Sequence, residues 1–351
     1  MDKIYKLPAE WEGHSSCWLA WPSHPELWQE NLEGAQKEFV QLCRAIADID
    51  PKSGHPRGER LHVLVRPGSN APEQAREALQ GLPISFYELP FGDIWLRDTG
   101  PLFLRDQSGL LATQHFAFNG WGAKYLLPHD PELSFLIAKQ GNRPKFESSL
   151  VFEGGSIDVD GESSCLTTRD CLLNPNRNPG RSEQDIEGEL KRTLGLEKVI
   201  WLEGALINDH TDGHVDTLAR FCAPGLVLCM EPRDASDPNA DVLNSLIMQL
   251  ASSTDAKGRK LQVIKVPSPG TLLNDEGDLL PASYMNFYIG NSTVVVPTYG
   301  SDFDQQAVTE IARCFPNRRT VGLSAKKILS GGGAFHCITQ QEPEENERNH
   351  G

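Results

Sequence analysis

Three glycines lead into a cysteine in the stretch Gly331-Gly332-Gly333-Ala334-Phe335-His336-Cys337. A glycine run lets backbone approach a ligand closely, or take a positive φ, at little steric cost. A thiol at the end of such a run reads as a nucleophile presented to a pocket. It reads equally well as a small core residue, because free cysteine is among the most buried types. The partners elsewhere in the chain favour the first reading. His214 lies in Asp212-Gly213-His214-Val215-Asp216, Asp98 follows Trp95-Leu96-Arg97, and Glu153 precedes Gly154-Gly155. A thiol beside a histidine is a nucleophile with an acid/base partner. Several carboxylates around one pocket repel each other unless a cation sits among them. A guanidinium is planar and positive and presents its N–H groups in pairs. Asp98 and Asp216 can each take such a pair bidentately and hold the central carbon in front of the Cys337 sulfur.

These residues stand far apart, so the chain must bring them together. A unit recurs: an apolar run ending near Pro, an amphipathic helix, and a second apolar run. It is seen at Cys17 to Pro22, a helix over 25–48 and Leu61 to Val65, then a helix over 71–80 and a strand from Ile84 to Leu89. In the first helix Phe39, Leu42, Cys43 and Ile46 recur at helical spacing. The unit returns at Leu166 to Pro175 (helix 182–194), at Leu226 to Pro232 (helix 239–252) and at Thr293 to Pro297 (helix 304–314). A looser copy spans 102–152 with a helix over 131–139. Before each copy stands a segment rich in functional side chains, Tyr284-Met285-Asn286 among them. Such repetition predicts a radial array of ββαβ blades, its last segment closing onto the N-terminal strand. A two-domain α/β protein with similar-looking strands is the alternative. One catalytic domain over 1–343 is expected, with a charged, frayed tail; the charged run itself begins at Glu342.

The bulk properties bound the rest. The chain has 351 residues and a formal net charge of −15. That charge disfavours nucleic acid as a partner and suits a small cationic one, although acidic surfaces commonly serve solubility alone. No apolar run approaches the roughly 18 residues that would cross a membrane. Met1 to Lys6 lacks the apolar core of a signal peptide. The eight cysteines form no C-x-x-C pair, which leaves zinc-ribbon and thioredoxin-type sites unsupported. A cytoplasmic enzyme with free thiols is expected; a homo-oligomer is left open.

The motifs are Trp95-x-Arg97-Asp98-x-Gly100-Pro101, Phe118-Asn119-x-Trp121-Gly122-x-Lys124, Glu153-Gly154-Gly155, Thr211 to Asp216, and Gly331 to Gln341. In type and order they resemble those of the agmatine deiminase and bacterial-type peptidyl-arginine deiminase family, within the guanidine-modifying superfamily, over nearly the whole chain. The resemblance implies a five-bladed α/β propeller with pseudo-fivefold symmetry. It implies Cys337 as nucleophile, His214 as general acid/base, Glu153 as support for that histidine, and Asp98 and Asp216 as guanidinium ligands. Trp95 and Trp121 are expected to flank the substrate stem. The implied reaction is hydrolysis of agmatine to N-carbamoylputrescine and ammonia through a thiouronium on Cys337, in putrescine and polyamine biosynthesis, with no metal or organic cofactor. Free or peptidyl arginine, giving citrulline, is the alternative. One position departs from the family pattern: His210 stands where a glutamate facing the distal amine is usual. A neutral imidazole there can accept a hydrogen bond but brings no charge.

Other residues read more plainly. His210 and His214 could form a metal pair, but Thr211 stands where a zincin glutamate would be, and Gly213 argues against a helix. His336 is expected to point away on a strand and to pack or hydrogen-bond. Arg97 is expected to form a structural salt bridge. Lys124 reads as a surface residue, Asp158 and Asp160 as turn residues, and Cys165, Cys171, Cys222 and Cys229 as small core residues.

Overall fold

The computed structural model describes residues 5–345. Their strands form five separate sheets in a mixed α/β fold. Ile157–Val159 runs antiparallel to Ser164–Thr168, which passes through the helix Glu183–Leu194 to the parallel strand Lys198–Leu202. Ala219–Ala223, Leu226–Glu231, the helix Ala240–Ser252 and Gln262–Pro267 repeat this wiring. So do Tyr288–Ile289, Thr293–Thr298, the helix Asp304–Cys314 and Arg319–Ser324. Leu102–Asp106, Leu111–Ala117, the helix Asp130–Ala138 and Lys145–Val151 form a fourth copy, with Tyr5–Lys6 added antiparallel at its edge. The fifth joins the two ends of the chain. Gln340–Pro343 pairs antiparallel with His14–Ala20, which leads through the helix Leu32–Ala47 to parallel Arg60–Val65. The helix Ala71–Ala78 and the strand Ile84–Glu88 extend that sheet. Each parallel pair requires a crossover connection, and a helix supplies it.

Local sequence explains the helix ends. Ser182 and Asp185 form a capping box, and Gly195 closes the same helix in the left-handed region at φ 69°. In Leu32–Ala47 the residues Phe39, Leu42, Cys43 and Ile46 are all buried, as their spacing requires.

Several expectations need correction. The helix expected over 25–48 is broken: Pro25–Trp28 ends at Gln29, whose φ is 47°. The break sets the Trp28 indole to donate to Asp93 Oδ1 at 2.9 Å. The strand expected from Leu166 to Pro175 stops at Thr168, whose hydroxyl accepts from Cys171 N and starts a helical turn over Arg169–Leu172. Asp158 lies in a strand rather than a turn, accepting from Arg220 Nε and Phe221 N, whereas Asp160 does hold a turn through Glu162 N and Ser164 N. Glu342, assigned to the charged tail, is buried in the closing strand and accepts from Trp18 Nε1 at 2.8 Å. The rest of the expected tail, residues 346–351, lies outside the described residues.

Candidate active site

The functional segments sit in short turns between sheets, and close backbone contacts tie them together. Arg97 N donates to Cys337 O at 3.1 Å. Gly154 lets its segment lie against Arg97, since a Cβ there would stand 2.1 Å from Arg97 O. Gly155 N donates to Asp98 Oδ1 at 2.9 Å. A Cβ on Gly155 would meet His214 Nδ1 at 2.7 Å and Asp98 Oδ1 and Asp216 Oδ2 at 3.0 Å each. The histidine and both acids read from the sequence therefore converge on one glycine.

Cys337 is buried beside them. Its sulfur lies 3.6 Å from Asp216 Oδ2 and 3.0 Å from the Asn286 side-chain N–H. Burial, then the charges of Asp216 and Asp98, push the thiol well above its ordinary value. With no cation among them, the acids keep the thiol protonated.

Both nitrogens of His214 are buried and without hydrogen-bond partners. Nδ1 stands 3.8 Å from Asp98 and Nε2 stands 3.6 Å from Glu153. Burial opposes the imidazolium, yet Asp98, Cys171 and Glu153 together hold its pKa well above the ordinary value. Asp212, two residues before His214, pairs with Arg177 at 2.6 Å and Lys124 at 2.5 Å. Lys124 is an exposed surface residue as expected, and it also donates to His210 O.

The carboxylates differ in state. Burial raises Asp98, and the nearby Asp216 and Glu153 add to it, against the His214 charge and the Trp121 N–H. Burial would also raise Asp216, but His336, His214 and Arg220 hold it below the carboxylate range. Glu153 is likewise held down by His214 and Arg177, the latter donating at 2.7 Å. Asp216 Oδ1 is buried without a partner. His336 is in a turn rather than a strand, and its two ring nitrogens lie 2.7 Å from Asp216 Oδ2 and Glu10 Oε2. Arg97, as expected, serves structure, through Glu10, Gln340 and Gln341.

A cavity of about 650 Å³ opens onto this centre and is lined by Trp95, Asp98, Trp121, His210 and Cys337 among others. Trp121 donates to Asp98 Oδ2 at 2.8 Å. His210 is exposed at the cavity and bonded to the Tyr125 hydroxyl at 3.0 Å. His214, Glu153 and Asp216 lie behind the lining, each fully buried. Asn286, Arg177 and Asp93 are site residues that sequence reasoning did not assign. Only Asn286 carried a signal, its place in one of the recurring segments.

Among the described residues, one group has ligand atoms close enough to share a metal: Glu153, Cys171 and His214. Arg177 already occupies Glu153 and opposes a second cation there. His210 is not part of that group; it is exposed and bonded to Tyr125, whereas His214 is fully buried. Cys171 is a core residue as expected, but it also sits 3.8 Å from Glu153.

A buried thiol, a raised imidazole and a set of acids around one cavity, on this α/β fold, define an amidine-hydrolysing enzyme. Residues 6–343 match the Porphyromonas-type peptidyl-arginine deiminase family, and the chain belongs to that family. It is 38% identical over 362 residues to an agmatine deiminase of Stutzerimonas stutzeri, covering 97% of this chain and 95% of the relative. It is 36% identical to an agmatine deiminase of Pseudomonas aeruginosa over the same shares. The solved agmatine deiminase of Enterococcus faecalis superposes with a TM-score of 0.88 at 32% identity, covering 97% of this chain and 96% of that one. Among the described residues, no helix is long and apolar enough to cross a membrane.

Proposed function

We propose that the protein hydrolyses agmatine to N-carbamoylputrescine and ammonia, a step toward putrescine, through a covalent intermediate on Cys337. The observation that carries this reading is the convergence of His214, Asp98 and Asp216 on Gly155, beside the Cys337 sulfur. Asp98 and Asp216 bind the guanidinium, and Trp95 and Trp121 line its path. The bound cation offsets the acids that keep the thiol protonated, so the thiol proton is lost to solvent and thiolate forms only when substrate is present. The thiolate adds to the guanidinium carbon. His214, held as imidazolium, gives its proton to the departing nitrogen, ammonia leaves, and a thiouronium remains on the sulfur. Neutral His214 then takes a proton from water, the oxygen adds to the same carbon, and the thiolate is expelled as the ureido product forms. Glu153, fixed by Arg177, supports the imidazolium. No step calls for a metal or organic cofactor.

The names of the relatives support agmatine as substrate. The five like-wired sheets support the blades of a single propeller that forms one catalytic unit. Eight free cysteines support a reducing, cytoplasmic setting. The test is to incubate purified protein with agmatine, free arginine and a peptidyl-arginine and to assay ureido product and ammonia. N-carbamoylputrescine is expected; citrulline without it would overturn the substrate. Cys337→Ser should abolish turnover with an unchanged circular dichroism spectrum, and retained activity would remove the covalent mechanism.

A further inference from the structure

We propose that Trp28 and Trp95, backed by the buried carboxylate of Asp93, form the subsite for the distal end of the substrate. This wall selects a guanidine ending in an ammonium over one ending in a carboxylate. The inference rests on the guanidine-hydrolysing reading of the same cavity.

Asp93 takes one indole N–H on each oxygen, from Trp28 on Oδ1 and from Trp95 on Oδ2, both at 2.9 Å. The two indoles are stacked, with centroids 6.0 Å apart and planes 27° apart. All three residues line the cavity, and Asp93 is only 7% exposed. The wall leads away from the nucleophile. A Cβ on Gly333 would meet both the Cys337 sulfur at 3.0 Å and the Trp95 ring at 2.8 Å. A Cβ on Gly331 would meet Trp95 at 2.7 Å and Trp28 at 2.9 Å. A stem anchored at Cys337 thus passes Trp95 before Trp28.

An indole face attracts a cation through its ring quadrupole. Donation of both N–H groups to one carboxylate polarises the rings and enriches those faces. The carboxylate behind them adds a negative potential in a water-poor wall, which attracts ammonium and repels carboxylate. Burial pushes Asp93 up to about 6, against the N–H groups that it accepts, so it remains ionised at neutral pH. Glu30, Asp275 and Glu276, and with opposite sign Lys326 and Lys327, also line the cavity but are all exposed, where water screens their charge.

The test compares agmatine with n-butylguanidine, which keeps the stem and lacks the ammonium, and with arginine. In Asp93→Asn the amide can accept only one indole and turns its own N–H toward the other. The agmatine to n-butylguanidine ratio of kcat/KM should fall at least tenfold, through the KM for agmatine, and discrimination against arginine should relax. Trp28→Phe keeps a ring but removes one N–H, and should lower the same ratio about threefold. Equal losses on both guanidines in the two variants would overturn the subsite and leave Asp93 a purely structural bracket. If the wild-type protein releases ammonia from none of the three, the deiminase reading fails instead. Calorimetry on Cys337→Ser then still reads the subsite, and equal affinity for agmatine and n-butylguanidine sinks it.

Discussion

The Asn286 side chain holds Cys337 from two sides: its N–H lies 3.0 Å from the sulfur, and its carbonyl accepts from the Cys337 backbone N–H at 3.2 Å. The same carbonyl accepts from Ala334 N, and the same N–H group reaches Asp216 Oδ2 at 3.1 Å. One amide thereby contacts Cys337, its glycine-rich loop and Asp216. Asn286→Ala removes all four contacts, including a donor that favours thiolate. We expect kcat to fall roughly a hundredfold, the scale seen when one oriented donor is lost from a reacting centre. Asn286→Asp places a further negative charge at the sulfur and should fall at least as far. A kcat within threefold of wild type in the alanine variant would show that the amide has no bearing on the nucleophile.

The charge state of Cys337 in the free protein follows from its surroundings. Burial, Asp216 and Asp98 all push the thiol up, so the thiolate fraction at neutral pH is small. Alkylation by iodoacetamide, read by peptide mass spectrometry, should be slow at pH 7 and should accelerate as pH rises past the ordinary thiol value of 9.0. Cys314 supplies an internal contrast. It is part-exposed, and the neighbouring Cys222 thiol draws its pKa down. Cys314 should be labelled first. Fast labelling of Cys337 at pH 7 without ligand would contradict a thiolate formed only on substrate binding.

Much of this centre was legible before any fold was known, and the reason is physical. Cys337, His214, Asp98, Asp216 and Glu153 each sit in a glycine-bearing or turn-bound segment, where the chain can pack closely against other such segments. The wiring of the sheets was legible too, because hydrophobic runs change period from strand to helix and back. What stayed hidden depends on contacts between distant residues of ordinary type. Arg177 is one arginine among many until its guanidinium meets Glu153 and Asp212. His336 adjoins the nucleophile in sequence, but its role comes from Glu10 and Asp216. Asp93 precedes a named motif by two residues, and only the break at Gln29 brings Trp28 onto it.

Arg177 tests how far the His214 pocket depends on a fixed counter-charge. Its side chain is wholly buried and donates to Glu153 Oε1 at 2.7 Å, Asp212 Oδ2 at 2.6 Å and Thr211 O at 2.9 Å. Arg177→Met leaves Glu153 buried without its guanidinium, facing only the His214 imidazole and the Cys171 thiol. Removing one partner of a buried ion pair typically costs about 3–5 kcal/mol. The urea midpoint should drop accordingly, and activity should fall with it as Glu153 loses its hold beneath His214. A stability loss under about 1 kcal/mol, no more than an exposed ion pair supplies, would mean that the pair is not structural.

Asp130 makes the opposite kind of case, a buried carboxyl whose ionisation works against the fold. It accepts from Gly92 N at 2.7 Å through Oδ1, while Oδ2 is buried and unpartnered. Burial, with the charges of Asp93 and Glu132, raises it from 3.8 to about 7, against the pull of that N–H. The folded protein therefore holds this proton more tightly than the unfolded chain does. Stability from this group is fully present below the unfolded value and is lost as pH rises through the window from 3.8 to about 7. At about 1.4 kcal/mol per pKa unit, the loss over that window is on the order of 4 kcal/mol. Asp130→Asn keeps a carbonyl for Gly92 N and removes the ionisation. Urea unfolding at pH 5 and pH 8 should show the variant gaining on wild type by about 2–3 kcal/mol between the two conditions, spread evenly up to about pH 7 and levelling off beyond it. A constant difference between variant and wild type across that range would mean that Asp130 does not titrate there.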